Sequence, residues 1–169
     1  MKTTNVGLAE WRISRDPEEV LCTLGIGSSV AVFLYDPVAG VAGAVHAMLP
    51  SGRDGGAAPA KYAQTGIPLL LDEVLAAGGA KERLRVGLFG GATLLTQGHS
   101  VLLQIGNNNT KAALEALGRL ELTPTISDVG GAKGRTIMML VGTGQVTVKV
   151  LSQPDRVYAE FATGQEVAQ

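Results

Sequence analysis

Ser29 and His46 are the two side chains whose types and placement suit them to do chemistry together. Ser29 ends the stretch Thr23-Leu24-Gly25-Ile26-Gly27-Ser28-Ser29, and His46 follows in Val45-His46-Ala47-Met48-Leu49-Pro50. A hydroxyl beside an imidazole is the smallest nucleophile–base pair, because a neutral ring nitrogen can take the proton that the attacking oxygen must lose. Gly25 and Gly27 suit a turn that needs positive φ or a close backbone approach. Such a turn can present successive N–H groups as a nest for an anion or an oxyanion. On spacing alone, a histidine merely packed in a strand is the commoner outcome.

Other chemistries find less support. Gly25-x-Gly27 lacks the third glycine and the following helix of a dinucleotide-binding fingerprint. Gly-Ile-Gly-Ser-Ser is not the Gly-x-Ser-x-Gly elbow of the α/β hydrolases. The two histidines, His46 and His99, come without clustered carboxylates, so neither a metal nor another cofactor is expected.

The elements that must hold the pair follow from β-branched runs and turn signals. Residues 20–24 read as a strand entering the glycine turn, and residues 30–35 and 41–48 as two further strands. Asp36-Pro37-Val38-Ala39-Gly40 has good turn chemistry, so these two form a hairpin that brings Ser29 and His46 to one end of a sheet. Residues 6–13 read as a first strand and residues 50–59 as a mobile loop leaving the His46 strand. Apolar residues at helical spacing predict a helix over 61–77 that either kinks at Pro68 or begins near it.

Farther on, residues 84–89 read as a strand, and residues 100–105 as another short one. Asn107-Asn108-Asn109 then offers an N-cap for a short helix over 110–117. Residues 136–141 and 145–151 make the clearest hairpin, and the tail after Pro154 is expected to be partly unstructured. Many strands with short connections and two helices give an α+β pattern rather than alternating βαβ units.

Bulk properties agree with one domain spanning residues 1–169. Apolar residues make up 46% and charged residues 17%, which excludes disorder as a class. The net charge of −1, without a basic run, argues against nucleic acid or anionic lipid as the main partner. No apolar run reaches the roughly 18–20 residues of a membrane span, and the first residues lack the apolar core of a signal peptide. With the single cysteine Cys22 there is no intrachain disulfide, and a cytoplasmic location is expected.

Several separated stretches resemble one known family in order and spacing. They are Thr23 to Val32, Tyr35-Asp36-Pro37, His46-Ala47-Met48-Leu49-Pro50, Lys61-Tyr62-Ala63 and Phe89-Gly90-Gly91-Ala92. Ile105-Gly106 with Asn109, and Asp128-Val129-Gly130-Gly131 with Gly134-Arg135, continue the match. Together they span about residues 6–151, and the chain is similar there to the chemoreceptor glutamine deamidase family, CheD. The resemblance implies hydrolysis of glutamine side-chain amides on methyl-accepting chemoreceptors, giving glutamate and ammonia. It implies layered mixed and antiparallel sheets flanked by helices, as in a deamidating toxin domain with a Cys-His-Thr site. The implied partners are the cytoplasmic helices of the receptors and a CheC-like phosphatase, with no membrane insertion.

Carried over by position, His46 matches the family base and Thr23 the third, hydroxyl-bearing member. Ser29 stands where the family has its nucleophilic cysteine. A thiol titrates at about 8.5 and is readily ionised beside a histidine, whereas a serine hydroxyl is far less acidic and needs a well-oriented base and oxyanion hole. Amide hydrolysis is therefore expected to fall by several orders of magnitude. The chain carries no tag or linker, which favours a natural serine over an engineered one. A non-catalytic module that binds the receptor or a CheC-like protein, and an amidohydrolase that truly uses serine, are the rival readings.

Blander readings stand beside these. Strand alternation turns Cys22 away from Thr23, so it reads as a small buried hydrophobe. His99 is expected on a solvated loop, and Asn109 as a helix cap. Gly90-Gly91 reads equally as a close approach to the site or a plain strand-end turn. Asp128 and Arg135 read as a surface ion pair or turn support. Tyr62 and the loop 50–59 are placed where they could touch a receptor helix.

Overall fold

The computed structural model describes residues 1–53, 56–93, 100–159 and 161, with only the backbone of 100–103. Among the described residues, ten strands form two five-stranded sheets. The first sheet holds β1 (Lys2–Asn5), β3 (Glu19–Ile26), β8 (Arg135–Leu140), β9 (Val146–Lys149) and β10 (Arg156–Tyr158), in that spatial order. The second runs β2 (Glu10–Ser14), β5 (Val41–Ala47), β4 (Val30–Asp36), β6 (Arg85–Gly90), β7 (Ile126–Val129). Helices α1 (Ala63–Ala76) and α2 (Ser100–Arg119) complete the α+β architecture.

Two apolar layers explain the stacking. Leu21, Ile137, Met139 and Val148 of the first sheet meet Ala31, Phe33, Ala44 and Phe89 of the second. On its other side the second sheet presents Val30, Val32, Leu34 and Val45 to Ile67, Leu70 and Val74 of α1 and to Ala113 and Leu117 of α2. Covered on both faces, β4 and β5 are buried at every position, so apart from Asp36 and His46 they read as apolar runs rather than as alternating strands. In β8 buried and half-buried residues alternate, as in a strand with one covered face. The β4–β5 turn is held by Asp36, whose carboxylate accepts from the N–H groups of Val38, Ala39 and Ala80 and from Arg83.

Several expectations need correction. Of the strand expected over 6–13 only its second half is strand, in β2, which pairs with β5; Val6 to Ala9 crosses between the sheets, and an unexpected β1 before it pairs in parallel with β3. Ala9 takes φ 63° in this crossing. Pro68 neither starts nor ends α1, which begins at Ala63 and carries the proline inside it. In the segment after Pro154, whose last residues lie outside the described ones, Arg156–Tyr158 form β10, held to β9 by an antiparallel ladder, which leaves the expectation of a partly unstructured tail uncontradicted. Strand β7 escaped notice because it has only four residues, two of them polar. It lies parallel to β6, joined to it through α2, so one βαβ crossover is present after all.

The largest correction concerns α2. Residues 100–105 are helix rather than strand, and Asn107-Asn108-Asn109 lies inside the helix rather than at its start. Glycine and asparagine are poor helix formers, but tertiary packing explains them here. A Cβ on Gly106 would stand 2.3 Å from the Ala92 carbonyl oxygen and 2.7 Å from that of Gly91. Only glycine lets the helix press against that backbone. Among the described residues no helix is long and apolar enough to cross a membrane.

Candidate active site

The hairpin register opposes Ala31 to His46 and Val30 to Ala47, which leaves Ser29 just beyond the end of the ladder beside the His46 strand. The Ser29 Oγ lies 2.8 Å from His46 Nε2. His46 shares its side of β5 with Ala42 and Ala44, which face the core between the sheets, so the imidazole points into the inter-sheet space. Its Nδ1 lies 3.1 Å from the backbone carbonyl of Val6. A carbonyl can only accept, so Nδ1 carries the proton and Nε2 keeps its lone pair for the Ser29 hydroxyl.

Electrostatics point the same way. Burial pushes the His46 pKa down, and this outweighs the opposing influence of the Val6 carbonyl and of the Glu10 charge, leaving it below the ordinary histidine value. Glu10 is the cross-strand neighbour of His46 on β2. The imidazole is thus held neutral near pH 7, as a proton acceptor must be.

Thr23 occupies the facing sheet. It alternates with Cys22 and shares a side with Leu21, toward the space that His46 enters. Its hydroxyl is buried and, among the described residues, has no hydrogen-bond partner. The structure therefore brings Ser29 and His46 into contact, while the second imidazole nitrogen bonds Val6 rather than Thr23. Regular pairing of β3 with β8 breaks between Thr23 and Ile26, where Gly25 has φ 54° and donates its N–H to Thr136 Oγ1. Irregularities of this kind re-aim side chains at strand ends. Leu24, inside the break, is exposed.

The glycine turn is anchored from behind. The Gly27 carbonyl accepts from the Ala92 N–H at 2.9 Å, and the Ser29 carbonyl from the Gly91 N–H at 2.8 Å. The Ser28 carbonyl accepts from Asn109 Nδ2 at 2.9 Å. Gly90 has φ 104°, and a Cβ there would stand 2.3 Å from the Ser29 carbonyl oxygen. Of the two readings of Gly90-Gly91, close backbone approach is the one realised.

Other expectations fall away. Asn109 is no helix cap: it is fully buried within α2, with its amide spanning the Ser28 and Met48 carbonyls. Asp128 and Arg135 form a buried pair rather than a surface one. The Asp128 carboxylate also accepts from Arg156 and from the Tyr158 hydroxyl, linking β7 of one sheet to β8 and β10 of the other. Burial alone would raise its pKa, but these hydrogen bonds and the charges of Arg156 and Arg135 leave it lowered.

Tyr62 is buried and so presents no surface to a partner. Pro50 and Ser51 line a groove of about 240 Å³ with Gln64, Asn108, Lys111 and Glu115. Cys22 is buried, and burial raises its thiol pKa, which makes it a poor nucleophile. His99 lies outside the described residues. The Val6 contact was invisible to a reading of side chains, because its contribution is a backbone carbonyl.

The family model described as CheD chemotactic sensory transduction matches residues 48–150, more than half of the chain. This chain belongs to the CheD family. A CheD relative from Desulforamulus reducens is 39% identical over 155 residues, covering 90% of this chain and 93% of its own length. One from Desulfitobacterium hafniense is 39% identical, covering 90% of this chain and 96% of its own. One from Pyrococcus horikoshii is 37% identical, covering 90% and 95%. Each bears the name "Probable chemoreceptor glutamine deamidase CheD". A match over 90% of the chain includes residues 29 and 46 wherever its ends fall.

Proposed function

We propose that this chain is a cytoplasmic chemoreceptor glutamine deamidase of the CheD type, acting as one domain and working through Ser29 and His46. What supports the reading is the 2.8 Å contact between a hydroxyl and an imidazole held neutral, in a chain similar over most of its length to named deamidases. Ser29 Oγ adds to the side-chain carboxamide carbon of a receptor glutamine as its proton passes to His46 Nε2. The C–N bond then breaks, with the imidazolium returning that proton to the departing nitrogen, and ammonia leaves. Water cleaves the resulting glutamyl ester by the same exchange through His46, which frees glutamate and restores Ser29. Thr23, with its unspent hydroxyl facing the same space, is the third polar group of the site.

Serine makes this slow. Nδ1 of His46 rests on a neutral carbonyl rather than a carboxylate, so the imidazolium formed during attack receives little stabilisation. A thiol needs less help because it is more acidic to begin with. Turnover by the chain as it stands lies several orders of magnitude below that of its Ser29→Cys variant. The same observation favours a second reading, in which the fold binds a receptor helix or a CheC-like phosphatase without turning over.

Ammonia release and the mass gain of deamidation on a receptor cytoplasmic fragment separate these. Activity that appears or rises strongly in Ser29→Cys supports the deamidase. Inactivity of both forms with retained receptor binding supports the binding module. Equal activity in both forms, lost in His46→Ala, would show an enzyme built for serine.

A further inference from the structure

The turn that carries Ser29 has its carbonyls of residues 27, 28 and 29 all tied down, two by backbone N–H groups and the middle one by a side chain. That side chain is Asn109. In a trans peptide the C=O and N–H lie in one plane and point in opposite directions. Fixing the Ser28 carbonyl toward α2 therefore sends the Ser29 N–H away from the helix layer. The Ser29–His46 contact lies on that opposite side, where the imidazole enters the space between the sheets.

The amide is committed to this arrangement. Both of its partners, the carbonyls of Ser28 and Met48, are acceptors, so Nδ2 must face them. Its Oδ1 is then left buried with no hydrogen-bond partner among the described residues. An orphaned buried acceptor lowers stability, and a neutral residue elsewhere in a helix would avoid it. Through one amide Asn109 joins the turn that bears the nucleophile to the end of the strand that bears the base. Gly106, one turn earlier on the same helix face, is what lets α2 come close enough.

We propose that Asn109 is a positioning residue of this site: it holds the Ser28–Ser29 peptide so that the Ser29 N–H is presented to the oxyanion formed when the residue-29 nucleophile adds to the glutamine carboxamide. The proposal rests on the deamidase reading. Carboxylate in place of amide inverts the donor, since Asn109→Asp sets an anion against two carbonyl oxygens, and Asn109→Ala removes the donor without the repulsion.

Two measurements test it. In crystal structures of both variants, made in the chain as it stands, the Ser28 carbonyl is expected to rotate away from its present direction; an unrotated peptide in both overturns the proposal without any reference to turnover. In the Ser29→Cys background, each variant is expected to lose about 100-fold in kcat, the scale of one lost oxyanion donor, with KM for the receptor fragment unchanged. Affinity for a peptide aldehyde at the glutamine position, which forms a tetrahedral adduct, falls in step, while affinity for the unreacted glutamine peptide stays. A merely structural role would lower the folded fraction alone and leave kcat per folded molecule and the aldehyde-to-amide affinity ratio untouched, which also overturns it. Should Ser29→Cys itself be inactive, the deamidase reading fails, and the peptide geometry still decides whether Asn109 orients the turn.

Discussion

The imidazole of His46 is oriented by the backbone of Val6, whose carbonyl accepts its Nδ1 proton at 3.1 Å. Residue 6 belongs to the segment that crosses from one sheet to the other, and the same segment returns a second bond, from the Ala9 N–H to the His46 carbonyl at 2.8 Å. His46 is thereby gripped at its ring and at its backbone by one short piece of chain.

A pH dependence follows from the lowered His46 pKa. Only the neutral ring can accept the proton of Ser29, so kcat/KM should rise with pH through a midpoint below the usual histidine value of about 6.5 and stay flat across neutrality. Stability carries the same sign. The unfolded chain binds the proton more readily than the folded one, so this group destabilises the fold as pH falls through about 6.5, and the effect levels off below the folded-state pKa. His46→Gln should remove that contribution from a denaturation series across pH, and an unchanged pH profile in that variant would contradict the assignment.

Asp128 should prove a stability residue. Asp128→Asn leaves the buried Arg135 guanidinium without its counter-charge and weakens the hold on Arg156 and Tyr158. Breaking a buried pair from one side costs about 3–5 kcal/mol, readable as a lowered midpoint in urea. Arg156→Ala, removing a half-exposed partner, should cost less. A loss under about 1 kcal/mol for Asp128→Asn would mean that the pair is solvated, as surface pairs are.

Gly90→Ala tests the backbone contact behind Ser29. The new methyl would collide with the Ser29 carbonyl, and φ 104° is unfavourable for any side chain. Backbone strain of about 1–3 kcal/mol is expected, together with lost activity in the Ser29→Cys background. Gly118→Ala is the matched control, because a Cβ there meets nothing within 4 Å. Equal behaviour of the two variants would remove Gly90 from the account.

Much of this was legible from residue order because the hairpin is local. Asp36 to Gly40 signalled the turn, and the turn determined that Ser29 and His46 would meet. The unread parts share a different character. Asn109 resembled a cap because asparagines before an apolar stretch usually are caps, and only packing against Gly91 and Ala92 reveals that the helix starts much earlier. Val6 acts through a main-chain atom, which no residue type announces. Asp128 and Arg135 looked like surface groups until the partners from β10 closed over them. Contacts between sheets distant in sequence were the ones that pattern could not supply.

That division has a mechanical consequence. Ser29 and His46 ride on one hairpin and would still face each other if the two layers drifted apart. What drifting apart would remove is the grip of Val6 on the ring and the hydroxyl of Thr23 opposite it, both brought by segments outside that hairpin. The parts of the site are thus separable: the hairpin alone sets the contact between residues 29 and 46, and what surrounds that contact is completed only where the first sheet packs against it.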